Sequence, residues 1–306
     1  MFSLALYLAA VLALWAGEAP VLRFAVIADI QYANKPARGE RDYRASAAKL
    51  AGAVSEINRR DVDFVIQLGD LIDEGLDNLA TILPIYQRFR ARKYDVLGNH
   101  DLTVGRARFL NRLAMRRAYY DFSLNGWRFV VLDGMDVSVE GGWPDGSPNL
   151  LAGERMLAGL KARSAPNAMS WNGGVGEAQQ RWLRETLRAA ERAGERVVVF
   201  CHFPVLAAAS TPVYLLWNHD EVLGILHSSP AVAAYMNGHD HRGGYAKAGG
   251  IHFVTLQGVV ESGAVGAFGV VEVFPDRLRI RGYGTVPSRN LVLKGRQRPA
   301  NARVTH

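Results

Sequence analysis

Two hydrophobic periods alternate along this chain. Runs dominated by apolar residues at 21–28, 62–67, 94–97, 196–201 and 232–236 have the length of single strands and end at polar or glycine positions. They read as strands buried on both faces. Residues 44–59 instead repeat apolar positions at helical spacing, with Leu50, Val54 and Ile57 on one side. Helices are likewise predicted at 76–92, 150–161, 177–192 and 220–227. Asn125-Gly126, between apolar segments 119–124 and 127–132, predicts a tight hairpin. Three closing strands are expected at 251–256, 267–274 and 277–283. This order predicts α/β layers, with two mixed β-sheets packed as a sandwich and flanked by helices. Two segments break the pattern, 134–176 and 203–218. Irregular stretches of that length inside a domain ordinarily serve a site.

The chemistry sits where the strands end. The first run leads to Asp29-Ile30-Gln31 and the second to Gly69-Asp70-Leu71-Ile72-Asp73. The third leads to Gly98-Asn99-His100-Asp101, the fourth to Cys201-His202, and the fifth to Gly238-His239-Asp240-His241. A single Gly-Asp or Gly-His means little. Carboxylate, amide and imidazole groups at five successive strand ends are what a two-metal hydrolytic centre requires, with Asp70 placed to bridge. Asn218-His219-Asp220 repeats the third triplet without its strand or glycine and reads as a helix cap. Trp143, Trp171 and Trp217 lie in or beside the irregular segments. Each is read first as loop packing, with stacking on a base as the functional alternative.

The five blocks resemble the calcineurin-like metallophosphoesterase superfamily over residues 22–283. The family pattern is Asp-x-His, Gly-Asp-x-x-Asp, Gly-Asn-His-Asp/Glu, a lone His and Gly-His-x-His, and Gln31 departs from it by standing where the family has His. Asp29-Ile30-Gln31-Tyr32 and Ser170-Trp171-Asn172-Gly173-Gly174 resemble the manganese-dependent ADP-ribose/CDP-alcohol diphosphatases within it. The resemblance implies one metal held by Asp29, Gln31, Asp70 and His241, and another held by Asp70, Asn99, His202 and His239. It implies that His100, oriented by Asp101, assists the leaving group. Asp73 is expected to play a supporting part. An amide oxygen at Gln31 shifts preference toward Mn²⁺ or Mg²⁺ and away from Zn²⁺. The implied cofactor is therefore two divalent ions, Mn²⁺ first, with Mg²⁺, Fe²⁺ and Zn²⁺ as alternatives. The implied reaction is hydrolysis of the diphosphate bond in a nucleoside diphosphate compound, with a phosphomonoesterase or cyclic-nucleotide phosphodiesterase as the alternative. The non-enzyme reading, a scaffold that has lost its metals, is disfavoured because every block keeps a ligand-competent side chain.

Composition narrows the setting. A formal charge of +7 at pH 7, with arginines clustered near 88–93 and 106–117, suits solvated helix faces or attraction of an anionic substrate. No nucleic-acid-binding motif accompanies it. Cys201 is the one cysteine, so no intrachain disulfide forms. Residues 2–15 are apolar except Ser3, too short for a stable membrane span, and are followed by Ala16, Gly17 and Ala19. This pattern predicts a signal segment over 1–19 and an exported or periplasmic protein, against the alternative of a retained cytoplasmic helix. A metallophosphoesterase domain is expected over 20–286, followed by a poorly ordered basic tail at 287–306.

Overall fold

The structure, a computed structural model, describes residues 18–295. The signal segment expected at 1–19 lies almost wholly outside the described residues, as does the end of the basic tail.

Twelve strands form two six-stranded mixed sheets among the described residues. The first has the order β12-β11-β10-β1-β2-β3, from Arg289–Val292, Arg277–Gly284, Ala267–Val273, Leu22–Ile27, Phe64–Gln67 and Arg92–Asp95. The second has the order β4-β5-β6-β7-β9-β8, from Tyr120–Leu124, Trp127–Val131, Arg196–Phe200, Val232–Asn237, Ile251–Thr255 and Gly244–Ala248. In the first sheet β1, β2 and β3 run parallel, from Phe24 opposite Phe64 to Ile27 opposite Gln67. In the second β5, β6, β7 and β9 run parallel. Parallel strands deliver their carboxyl ends to one edge, where β1, β2 and β3 meet β6 and β7.

Helices α1 (Ser46–Ile57), α2 (Leu76–Tyr86), α3 (Arg106–Arg112), α4 (Pro148–Ala162), α5 (Glu177–Arg192) and α6 (His219–His227) complete the fold. Leu50, Val54 and Ile57 are buried, as their spacing predicts. The sheets are locked together by aromatic rings. Phe24 stacks on Phe64 at 4.9 Å and meets Phe129 and Phe200 of the other sheet edge-on at 5.7 and 5.8 Å. Such pairs add about 0.5–1.5 kcal/mol each beyond the area they bury.

Three sequence expectations change. The helix predicted over 76–92 stops at Tyr86, where Tyr86 and Phe89 turn into the core and the Tyr86 hydroxyl donates to Asp95 Oδ1 at 2.6 Å. Strand β3 consequently starts at Arg92 rather than residue 94. The tail expected to be poorly ordered begins with strand β12, because Leu291 is buried and the segment pairs antiparallel with β11.

Candidate metal centre

Each implied ligand lies just beyond a strand, and none is more than 8% exposed. Asp29 and Gln31 follow β1, Asp70 follows β2, Asn99 follows β3, His202 follows β6, and His239 and His241 follow β7. Their donor atoms converge. His202 Nε2 lies 3.3 Å from Asp70 Oδ2 and 4.0 Å from Asp29 Oδ1. His241 Nε2 lies 3.3 Å from Asp29 Oδ1, and His239 Nδ1 lies 3.1 Å from His202 Nε2. One ligand atom each from Asp70, His202 and His239 falls within 4.8 Å of the others, the spacing for a single cation.

The ring nitrogens that turn away from this cluster fix the tautomers. His202 Nδ1 donates to the Leu68 carbonyl at 2.8 Å, which makes Nε2 the nitrogen that faces Asp70 and offers its lone pair once its proton leaves. His241 Nδ1 lies at ion-pair distance, 3.0 Å, from Glu261 Oε1 without a hydrogen bond between them, and Nε2 faces Asp29. His239 is set by Asn172. The Asn172 Nδ2 group donates to the carbonyls of Asn167 and Val213 at 3.1 and 2.8 Å, so Oδ1 must be the atom 2.9 Å from His239 Nε2. His239 Nε2 therefore carries the proton, and Nδ1 is bare toward the cluster. Outer partners of this kind orient the ligands of metal sites.

Two amide oxygens are left without donors. Gln31 Oε1 and Asn99 Oδ1 are buried with no hydrogen-bond partner. Such groups call for an explanation, and a cation supplies it. Gln31 Nε2 now contacts Asp70 Oδ2 at 2.9 Å and His241 Nε2 at 3.2 Å. Turning the amide over would put Oε1 at that point between the two residues. The donor set of two carboxylates, two amide oxygens and three imidazoles thus fits two divalent ions.

The backbone is strained where the ligands leave the sheet. Asp29, Gln31, Asp70 and His239 all have positive φ, at 51°, 43°, 58° and 69°. Such conformations cost about 1–3 kcal/mol each and persist only where their surroundings fix them. The adjoining glycines make room. A Cβ on Gly98 would lie 2.0 Å from Asp70 Oδ1, and one on Gly238 would lie 2.4 Å from Asp29 Oδ2.

Electrostatics follow from the burial of opposite charges together. Burial disfavours charge on His202, but Asp70 and Asp29 outweigh it and raise its pKa to about 9. The same contest, won by Asp29 and Glu261, raises His241 to about 10. Burial and its cationic neighbour His202 push His239 well below the ordinary value. Burial opposes ionisation of Asp70, yet His202 and His100 hold its carboxyl below the usual range.

His100 is near the cluster through its backbone, which donates to Asp70 Oδ1 at 3.0 Å. Its partner differs from the one expected. His100 Nδ1 lies 3.0 Å from Asp73 Oδ1, so Asp73 and not Asp101 orients the ring. Asp101 is fully buried and accepts from the backbone N–H groups of Gly98, Asp70, Leu71 and Ile72 at 2.8–3.2 Å. It clamps the β2 loop to the β3 loop, because a residue beside His100 projects away from the ring. Asn172 and Glu261 were not singled out as site residues. Asn172 lay inside the segment carrying the family resemblance, whereas Glu261 carried no sequence signal. Of the three tryptophans, Trp217 is buried and Trp143 packs under the Arg106 guanidinium at 4.2 Å. Trp171 lies beside the centre, 5.2 Å from the His239 ring, with Tyr214 at 5.5 Å. Asn218 precedes α6, but its Oδ1 accepts from Val175 N instead of capping the helix.

A two-sheet sandwich whose parallel strand ends converge carboxylates, amides and imidazoles defines the class, a dinuclear metal-dependent hydrolase. Comparison with known proteins makes it specific. Residues 22–243 match the family described as calcineurin-like phosphoesterase, and the chain belongs to that family. It is 33% identical over 304 residues to a manganese-dependent ADP-ribose/CDP-alcohol diphosphatase of Arabidopsis thaliana, covering 89% of this chain and 97% of that protein. The protein of the same name from Mus musculus is 32% identical over 316 residues, covering 88% of this chain and 93% of that one. Among solved structures, a dimetal phosphatase from Danio rerio superposes with a TM-score of 0.83 at 30% identity, covering 90% of this chain and 100% of the other.

Proposed function

We propose that the protein is a manganese-dependent hydrolase of the diphosphate bond in ADP-ribose- or CDP-alcohol-type compounds. The observation that carries this reading is the convergence of one ring nitrogen from each of His202, His239 and His241 upon Asp70, Asp29 and two donorless amide oxygens. The relatives bearing that activity align over most of the chain. Asp29, Gln31, Asp70 and His241 would hold one ion. Asp70, Asn99, His202 and His239 would hold the other. When bound, the ions supply positive charge that draws in the diphosphate and acidifies the attacking water.

The remaining steps belong to the chain's own residues. His100, 29% exposed at its side chain, is the titratable group of the site open to solvent. Burial lowers its pKa, but Asp70 and Asp73 outweigh that and raise it, which favours the protonated ring. With Nδ1 turned to Asp73, Nε2 is the atom that gives the proton to the departing phosphate oxygen. Trp171 and Tyr214, beside His239, offer ring faces to the nucleoside base. Export from the cytoplasm is proposed on residues 2–15 alone. No helix among the described residues is long and apolar enough to cross a membrane.

The test is a Mn²⁺ assay of ADP-ribose, a CDP-alcohol and AMP under matched conditions. A kcat/KM well above that for AMP is expected for the first two. A clear preference for the monoester would replace this reading with a phosphomonoesterase.

A further inference from the structure

A cavity of about 490 Å³ lies between α4 and the start of α6. Its lining includes none of the implied metal ligands, nor His100 or Asp73. On the α4 side Arg155, Gly159 and Arg163 follow one another at intervals of one helical turn. Neither guanidinium has a hydrogen-bond or ion-pair partner among the described residues. A Cβ on Gly159 would meet nothing within 4 Å, so the helix opens into the cavity there. Asn167, only 3% exposed, forms part of the wall. Its Nδ2 donates to the carbonyls of Leu216 and Trp217 at 2.9 and 3.3 Å, which leaves Oδ1 with no donor among the described residues. Asn167 Oδ1 opens to solvent at the cavity wall, where a ligand N–H or O–H group can take the place of water.

We propose that this cavity is a second, non-catalytic nucleotide site, taking a nucleoside monophosphate whose base carries an amino group. Two exposed arginines two turns apart on one side of α4 suit a phosphate, which accepts guanidinium hydrogen bonds from both. Asn167 Oδ1 accepts from the amino group. Met156, Pro166 and Leu215 supply apolar surface for the base and sugar. The opposite rim holds Asp220, 87% exposed at its side chain, and Glu221, whose carboxylate is already bonded to Gln180 and Asn218. These acids repel a second phosphate, so the site selects a monophosphate over a diphosphate. The volume lies in the usual range for small-ligand sites.

The cavity is wired to the metal centre. The Asn167 carbonyl accepts from Asn172 Nδ2 at 3.1 Å, and Asn172 Oδ1 holds His239 at 2.9 Å. A ligand that fixes Asn167 therefore biases the ring that faces the metals. Binding at the cavity stands independently of which phosphate ester the centre cleaves.

The experiment is calorimetric titration of CMP into the manganese-loaded protein, native and in two variants. Gly159→Phe fills the cavity, and Arg155→Glu with Arg163→Glu reverses its charge. The native protein is expected to bind one CMP more than either variant, with each arginine contributing roughly tenfold or more in affinity. Hydrolysis of a nitrophenyl phosphate ester without CMP should be the same in all three. Equal stoichiometry and affinity across the three proteins would overturn the site. If circular dichroism shows that Gly159→Phe does not fold, the arginine pair decides. Inorganic phosphate is the control probe, and displacement of the cavity-bound CMP by equimolar phosphate would overturn the nucleotide assignment.

Discussion

Replacing Asn172 tests whether the ligand geometry is imposed from behind the centre. Asn172→Ala removes three buried hydrogen bonds, to His239 Nε2, Asn167 O and Val213 O. At about 1 kcal/mol each, the metal-free fold should lose about 3 kcal/mol, or roughly 5 °C in Tm for a domain of this size. Loss of the Oδ1 acceptor also frees His239 to carry its proton on Nδ1, the atom that faces His202. Removing an outer partner of a metal ligand typically weakens metal binding or activity by about 10–100-fold. Asn172→Asp separates the two effects. It keeps an acceptor toward His239 but sets a carboxylate oxygen against two carbonyls, so stability should fall as far while Mn²⁺ affinity falls less. Thermal unfolding of metal-free protein reads the first quantity, and calorimetric Mn²⁺ titration reads the second. If Asn172→Ala binds two Mn²⁺ ions as tightly as the native protein, the tautomer argument for His239 is wrong.

Five further outcomes are expected. With His202 held at about 9 and His241 at about 10, both rings carry protons at pH 7 that Mn²⁺ must displace, and Asp101, raised to about 8 by burial and the charge of Asp70, can add a third. Titrations in buffers of different ionisation enthalpy should report release of two to three protons, and release of none would sink this account. Because the histidine values are raised in the folded state, their contribution to metal-free stability is complete below the unfolded histidine range and is lost as pH rises through about 9 to 10. His100→Ala should lose roughly 10²–10⁴ in rate with metal content intact, the loss shrinking for nitrophenol leaving groups, and a uniform loss would show positioning instead. Asp73→Asn should lower the pH at which activity declines on the alkaline side, a shift Asp101→Asn would not reproduce if Asp101 serves only the backbone. Gln31→His should move metal preference from Mn²⁺ toward Zn²⁺ or Co²⁺, and an unchanged metal profile would show that Gln31 is not a ligand.

The sequence made the strand ends legible because burial and chemistry alternate there without interruption. β1, β2, β6 and β7 each carry a run of at least three apolar residues before the chain breaks to Asp, His or Gly. Strands β8 and β12 were missed for the opposite reason, since edge strands such as Gly244–Ala248 need bury few of their side chains. Sequence adjacency misled the pairing of His100. Asp101 is its neighbour in the chain, but the three-dimensional partner is Asp73, from the preceding loop. Glu261 lies outside every motif because its role depends on the ring of His241 reaching it. Adjacent residues report which loop a group belongs to, and long-range contacts decide which way it faces.

Those long-range contacts also explain how four strained residues can occupy one site. Asp29, Gln31, Asp70 and His239 would each relax to ordinary φ if their side chains and loops were free. They are held by bonds that involve no metal. Asp101 gathers four backbone N–H groups of the β2 and β3 loops, and Asp29 accepts the backbone N–H of His239 at 3.1–3.2 Å. Asn172 and Leu68 fix the rings of His239 and His202 from outside, and Glu261 lies beside that of His241. In place of cations, the protons raised onto His202 and His241 balance the charges of Asp70 and Asp29. Metal binding is then an exchange of protons for ions at positions already set, with little chain entropy to lose. On the proposed ligand set the group that must still move is the Gln31 amide, whose nitrogen now faces Asp70 and His241. A residue that must reorient to bind is where metal selectivity can be tuned without disturbing the fold.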